Sequence, residues 1–69
     1  MKKGEKLVSI LRKIEIFLLE TGMAPTRFGR DAVRDPRLIF DMRNGREPGV
    51  RTIRKLEHFM NMNRDGVVN

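Results

Sequence analysis

In 69 residues the chain has no cysteine, no tyrosine, no tryptophan and a single histidine, His58. Without cysteine there are no disulfides and no thiolate metal sites. One histidine cannot build a metal centre by itself, so no metal is expected. Four phenylalanines are the only aromatics. They form no run of the kind that stacks unpaired RNA bases. Long apolar runs are missing too. The most apolar stretch, LVSILRKIEIFLLE (7–20), contains Arg12, Lys13 and Glu15. It is too short and too charged to span a membrane or to act as a secretory leader. An intracellular, cytoplasmic protein with no membrane partner is the expectation. Signatures of catalysis are likewise absent: no GxxxxGK, no HExxH and no nucleophile–base set. The chain reads as a non-enzyme with no cofactor and no small-molecule substrate.

Length sets a further bound. A chain this short is one small domain, residues 1–69, and buries only ~60% of its unfolded surface. Its stability must come from helix packing or from a partner.

What the chain does have is positive charge. Fifteen Lys+Arg stand against nine Asp+Glu, a formal net charge of +6. Most of the fifteen are arginine, and Arg34, Arg37, Arg43 and Arg46 crowd into DAVRDPRLIFDMRNGREPG (31–49). A basic domain with clustered arginines carries the electrostatic footprint of a nucleic-acid binder. The plainer reading is a charged, solvated surface, because 35% charged residues is only moderately above ordinary.

Apolar spacing predicts four helices, with no repeats and no linkers. Helix 1 spans about 5–20: Leu7, Ile10, Leu11, Ile14, Phe17 and Leu18 recur at i, i+3, i+4, i+7. Gly22 sits where a left-handed residue ends a helix. Val8, Ile16 and Leu19 widen the stripe, as if this helix were touched on two sides. Helix 2 spans about 25–32 and opens on Pro25, whose missing N–H costs nothing in a first turn. Phe28 and Ala32 share its inner face. Gly29 costs ~1 kcal/mol relative to alanine, which a close-packed neighbour would explain. Helix 3 spans about 36–44, capped by Asp35 with Pro36 at its first position, and stops at Asn44-Gly45. Helix 4 spans about 50–62, with Ile53, Leu56 and Met60 inward and Val50 and Phe59 beside them. His58 falls outside that stripe. Residues 63–69 carry no helical period and read as a frayed tail or a short strand for a partner.

Helices 2 and 3 are short and are joined by Val33-Arg34-Asp35. Two helices joined by three or four residues at a steep angle make a helix-turn-helix. Phe28, Ala32, Ile39 and Met42 would pack the pair. Helix 3 is then too short and too basic to be mainly core. In this motif the second helix enters the major groove and its early residues meet base edges.

The stretch GMAPTRFGRDAVRDPRLIFDMRNGREPGVRTIRKLEHFM (22–60) resembles the Cro/C1-type (XRE-like, lambda-repressor-like) helix-turn-helix DNA-binding family. Phe28, Gly29, Ile39, Met42, the NGREP turn (44–48) and Thr52-Ile53 carry the resemblance. It departs in the tight turn, where Val33 and Arg34 replace a usual glycine and apolar residue. The resemblance implies a compact all-α domain of four to five helices, often a homodimer on double-stranded DNA, acting in transcription regulation as a repressor. It places Pro36 and Arg37 at the base-reading start of helix 3, and Asp41 where family members contact bases. Asp41 would accept from cytosine N4 or orient Arg37 through an i, i+4 pair, the second being preferred. Phe40 would touch thymine methyls, or else pack onto helix 2 or a partner. Arg43, Arg46 and Arg51, with the Asn44 side chain, are candidate phosphate contacts at helix ends and turns. Thr26 and Arg27 join them by family analogy. The dimer interface would use helix 4 and the tail. A competing reading keeps the fold and changes the partner: a protein-interaction module such as an antitoxin or adaptor, using exposed apolar residues of helix 1 and Val67-Val68.

Overall fold

Helix formation follows the apolar spacing closely, and its limits are set by identifiable caps. A computed structural model describes the backbone of residues 3–68 and the side chains of residues 9–63. Four α-helices follow one another: α1 Lys3–Thr21, α2 Pro25–Val33, α3 Leu38–Arg43 and α4 Val50–Val68. Among the described residues there is no strand, and no helix is long and apolar enough to cross a membrane. The chain is therefore all-α.

The first helix stops as expected. Gly22 takes φ 71°, and its N–H donates to the Leu18 carbonyl at 2.9 Å. The second opens on Pro25 after an extended Ala24. It closes on Arg34, which adopts a left-handed φ of 58°. A side chain in that region costs roughly 1–2 kcal/mol. The turn is closed by the Arg34 N–H on the Arg30 carbonyl (2.9 Å) and the Asp35 N–H on the Gly29 carbonyl (3.0 Å). This wrapping also explains Gly29. A Cβ there would overlap the Asp35 carbonyl oxygen and sit 3.3 Å from its carbon. The close neighbour is the turn backbone.

The third helix is shorter than the spacing predicts. Asp35 does not cap the helix itself, whose N-cap residue is Arg37 with no side-chain cap; Asp35 Oδ1 instead accepts from the Arg37 N–H at 3.1 Å and pins the preceding turn. The Leu38 N–H donates to the Asp35 carbonyl at 3.1 Å, a bond of three residues rather than four. Arg37 lies at φ −98°, ψ −2°, the geometry that ends a type I turn. Pro36 and Arg37 thus form a tight turn, and regular helix begins at Leu38. Its far end is closed by the Gly45 N–H on the Met42 carbonyl (3.0 Å), with Gly45 at φ 102°.

The fourth helix is longer than expected. Its backbone runs through Val68, where the missing apolar period of residues 63–69 predicts a tail. A formed helix adds each residue at little cost, so lack of an apolar period does not end it. Gly66 only weakens it. Side chains of Val67 and Val68, like those of Leu7 and Val8, lie outside the described residues.

All four helices feed one apolar core. Ile10, Ile14, Phe17 and Leu18 come from α1, Phe28 from α2, Leu38, Ile39 and Met42 from α3, and Leu56 and Met60 from α4. Ala32, Ile53 and Phe59 pack partly against them. Among the described residues no polar side chain is buried. Phe17, Phe28 and Phe59 meet edge-to-face, with centroids 5.3–6.3 Å apart. Such a contact adds about 0.5–1.5 kcal/mol beyond area burial. Three expectations fail at the rim. Ile16 and Leu19 are 46% and 84% exposed, so among the described residues the second face of α1 is not covered, and Val50 is 62% exposed. Val50 is the first residue of α4.

Candidate nucleic-acid interface

The α2–turn–α3 unit presents the chain's arginine-rich segment. Leu38, Ile39 and Met42 of α3 point into the core. Six residues cannot also bury their opposite side, so Phe40 and Arg43 stay outside and Asp41 is half-buried. Arg37 is exposed in the turn that opens this helix. Its backbone is pinned by Asp35, and among the described residues its guanidinium makes no ion pair.

Arg43 behaves differently. Its Nε and Nη2 donate to the two carboxylate oxygens of Glu15 on α1, each at 2.7 Å. This fork-on-fork pair is the strong form of charged hydrogen bond. It holds the Glu15 carboxyl below its ordinary pKa, mainly through the hydrogen bond, with partial burial opposing. The same bond raises Arg43. The Arg43 guanidinium also lies 5.7 Å from the centroid of the Phe40 ring. Phe40, 44% exposed, is the platform for Arg43 and is not packed away into the core.

Arg46 is tied as well. Gly45 turns the chain back so that the Arg46 N–H donates to the Asp41 carbonyl at 2.9 Å. Its Nη1 then lies 3.1 Å from Asp35 Oδ2 and 3.1 Å from Asp41 Oδ2. This corrects the expected partner of Asp41: the carboxylate pairs with Arg46, and no Arg37–Asp41 ion pair forms among the described residues. The chain reversal at Gly45 brings Arg46 onto that carboxylate from the other side. The Asn44 amide donates to the Phe40 carbonyl at 3.0 Å, closing α3.

Around α2, Arg27 and Arg30 share Asp31 at 3.4 and 3.5 Å. These long, exposed contacts are weak. Thr26 stands exposed in the first turn, at an N-terminus with no side-chain cap. Arg51 is exposed in the first turn of α4. Arg34, Arg37, Arg51 and Arg54 make no ion pair among the described residues.

No family model matches the chain, and no curated protein and no solved structure matches it.

The expected base-side group (Pro36, Arg37, Phe40, Asp41) is therefore gathered at and around α3. The expected phosphate group divides: Arg43, Arg46 and Asn44 have partners within the fold, Arg27 is loosely paired, and Arg51 is open. Sequence reasoning missed Glu15 altogether. It lies 28 residues from Arg43, and no local pattern announces such a pair. The Arg46 contacts had a local signal: acidic residues at 35 and 41 ahead of an Asn-Gly reversal that turns Arg46 back toward them. Elsewhere, grooves also lie among the described residues. One, between α1 and α4, is lined by Lys13, Ile16, Glu57, Met60 and Asn61. Another runs between α2 and α4 past Arg54, His58 and Met62.

Proposed function

We propose that the chain is a sequence-specific double-stranded DNA-binding domain, a Cro-like transcriptional repressor of the lambda-repressor-like helix-turn-helix type. The observation that carries this reading is α3: six residues, half of them core, opened by a pinned turn that offers an Arg37 with no ion-pair partner among the described residues. Such an arginine can pair bidentately with guanine O6 and N7 in the major groove. The net charge of +6 supports a polyanionic partner, and the open Arg34, Arg51 and Arg54 supply phosphate contacts. Asp41, held by Arg46, retains one oxygen to accept from a cytosine amine. The protein works inside the cell, bound to DNA.

A single six-residue helix reads few base pairs, so the domain binds as a homodimer on half-sites about 34 Å apart, one helical turn. Met62 on α4, 64% exposed, is a candidate interface residue on the helix that leaves α3 clear. Sedimentation with and without duplex tests this; a monomer on its best duplex at high concentration contradicts it.

A second reading is an adaptor or antitoxin that binds protein. The exposed Ile16 and Leu19 of α1 favour it. Selection from a random duplex pool separates the two. An enriched two-fold-symmetric sequence supports the repressor, whereas no enrichment supports a protein partner.

A further inference from the structure

Arg46 is held by two carboxylates at once, and its surroundings do not suit a phosphate contact. One guanidinium faces two carboxylates, so the trio is net negative where a phosphate would arrive. Asp35 bridges two tasks: one oxygen accepts from the Arg37 N–H at 3.1 Å, and the other takes Arg46 Nη1 at 3.1 Å. The same nitrogen holds Asp41 on α3 at 3.1 Å. The Arg46 backbone returns to Asp41 once more through its N–H, at 2.9 Å. A chain of contacts thus runs from the segment after α3, through Asp35, to the backbone of Arg37.

We infer that Arg46 is a positioning residue: it locks the Asp35-Pro36-Arg37 turn to α3, and so sets sequence discrimination without contacting DNA. This rests on the DNA-reading proposal above and deepens it. The lock fixes two things at once. It holds the start of Arg37's side chain in register with α3, and it occupies one oxygen of Asp41, leaving the other as an acceptor. Preorganisation of this kind favours the matched duplex, because only that duplex uses the fixed geometry. Scrambled DNA, bound through phosphates, does not.

The test compares the unmodified chain with Arg46→Ala, Arg46→Lys, Asp35→Asn and the Asp35→Asn/Arg46→Ala double variant. Each is measured on the duplex enriched from a random pool and on a scrambled duplex, at several salt concentrations. Helix content and melting midpoint are followed in parallel. Arg46→Ala is expected to reduce the matched-to-scrambled affinity ratio roughly tenfold, the scale of one base contact, with its salt slope unchanged. Arg46→Lys should restore most of the ratio, because both carboxylates are held through a single nitrogen that an ammonium can replace. Asp35→Asn keeps the acceptor for the Arg37 N–H and loses the charge. It should lower the ratio, and combining it with Arg46→Ala should add nothing, as coupled residues in one network behave. If Arg46→Ala weakens both duplexes equally and shallows the salt slope by about one unit per subunit, as loss of a phosphate contact does, the inference is overturned. Additive losses in the double variant also overturn it. Should Arg46→Ala fail to fold, Asp35→Asn and Arg46→Lys decide the question: a ratio unchanged by Asp35→Asn contradicts the lock. Failure of the DNA-reading proposal is seen separately, as no enriched duplex with the unmodified chain.

Discussion

Arg37 and Arg43 lie six residues apart, one opening α3 and the other closing it, yet their surroundings are opposite. Arg43 is forked onto Glu15 at 2.7 Å and laid against Phe40. Arg37 has a fixed backbone and, among the described residues, no carboxylate partner. The same division separates Arg46, between two carboxylates, from Arg34, Arg51 and Arg54. Counting arginines therefore overstates the cations on offer. In a small domain with little core, some of them hold helices together and others remain for a partner. The Arg43–Glu15 pair joins α3 to α1 at the surface, and the Arg46 trio joins α3 to the turn before it.

The comparison breaks most completely if the turn itself is forced open. Gly29→Ala pushes a methyl into the Asp35 carbonyl. It should destabilise the fold by about 1–3 kcal/mol, as overpacking does. For a domain this small that lowers the melting midpoint by ~4–8 °C per kcal/mol. An unchanged thermal melt would mean that the α2–α3 turn is not as tight as described.

A smaller effect is expected from Glu15→Gln, which leaves Arg43 without its fork. An exposed pair contributes at most ~1 kcal/mol, with ideal bidentate geometry at the upper end. The pH dependence identifies it. The Glu15 pKa is lowered in the folded state, so its stabilisation is fully present above the unfolded pKa. It is lost as pH falls through the folded one, below the ordinary glutamate range. The melting difference between the unmodified chain and Glu15→Gln should hold steady from neutral pH down to that range and then close. A constant difference down to strongly acid pH would show that the ion pair is not its source.

The smallest effect is expected at Arg34. Glycine relieves the left-handed strain but adds unfolded-state entropy, and the two nearly cancel. Arg34→Gly should change stability by less than ~1 kcal/mol on those two contributions, toward greater stability. A clear loss on denaturant titration would mean that the Arg34 side chain has a structural role.

The helices and the core were largely legible from local rules. Asp35-Pro36 and Asn44-Gly45 bracket α3, and Phe28, Ile39, Met42, Leu56 and Met60 are inward at the spacing that predicts them. Turn geometry was less legible. Only the three-residue bond to Asp35 reveals that Pro36 and Arg37 precede the regular helix. The α4 boundary was missed because a helix propagates without needing an apolar face. Ile16, Leu19 and Val50 look like core by type, and exposure depends on neighbours that no pattern supplies. Ion pairing was the least legible. Arg43 finds Glu15 across 28 residues, and Asp41 finds Arg46 through a reversal of direction at Gly45.

The central claim is that the start of α3 reads sequence through the open Arg37. It is tested most directly by measuring Arg37→Ala and Arg51→Ala on the enriched and scrambled duplexes across a series of salt concentrations. Arg37→Ala should cost ~1–3 kcal/mol on the enriched duplex and relax preference at one position of each half-site, with melting unchanged. Arg51→Ala should weaken both duplexes alike and make the salt slope shallower. If Arg37→Ala instead weakens both duplexes equally and leaves base preference intact, α3 does not read sequence, and a protein partner becomes the better account of this surface.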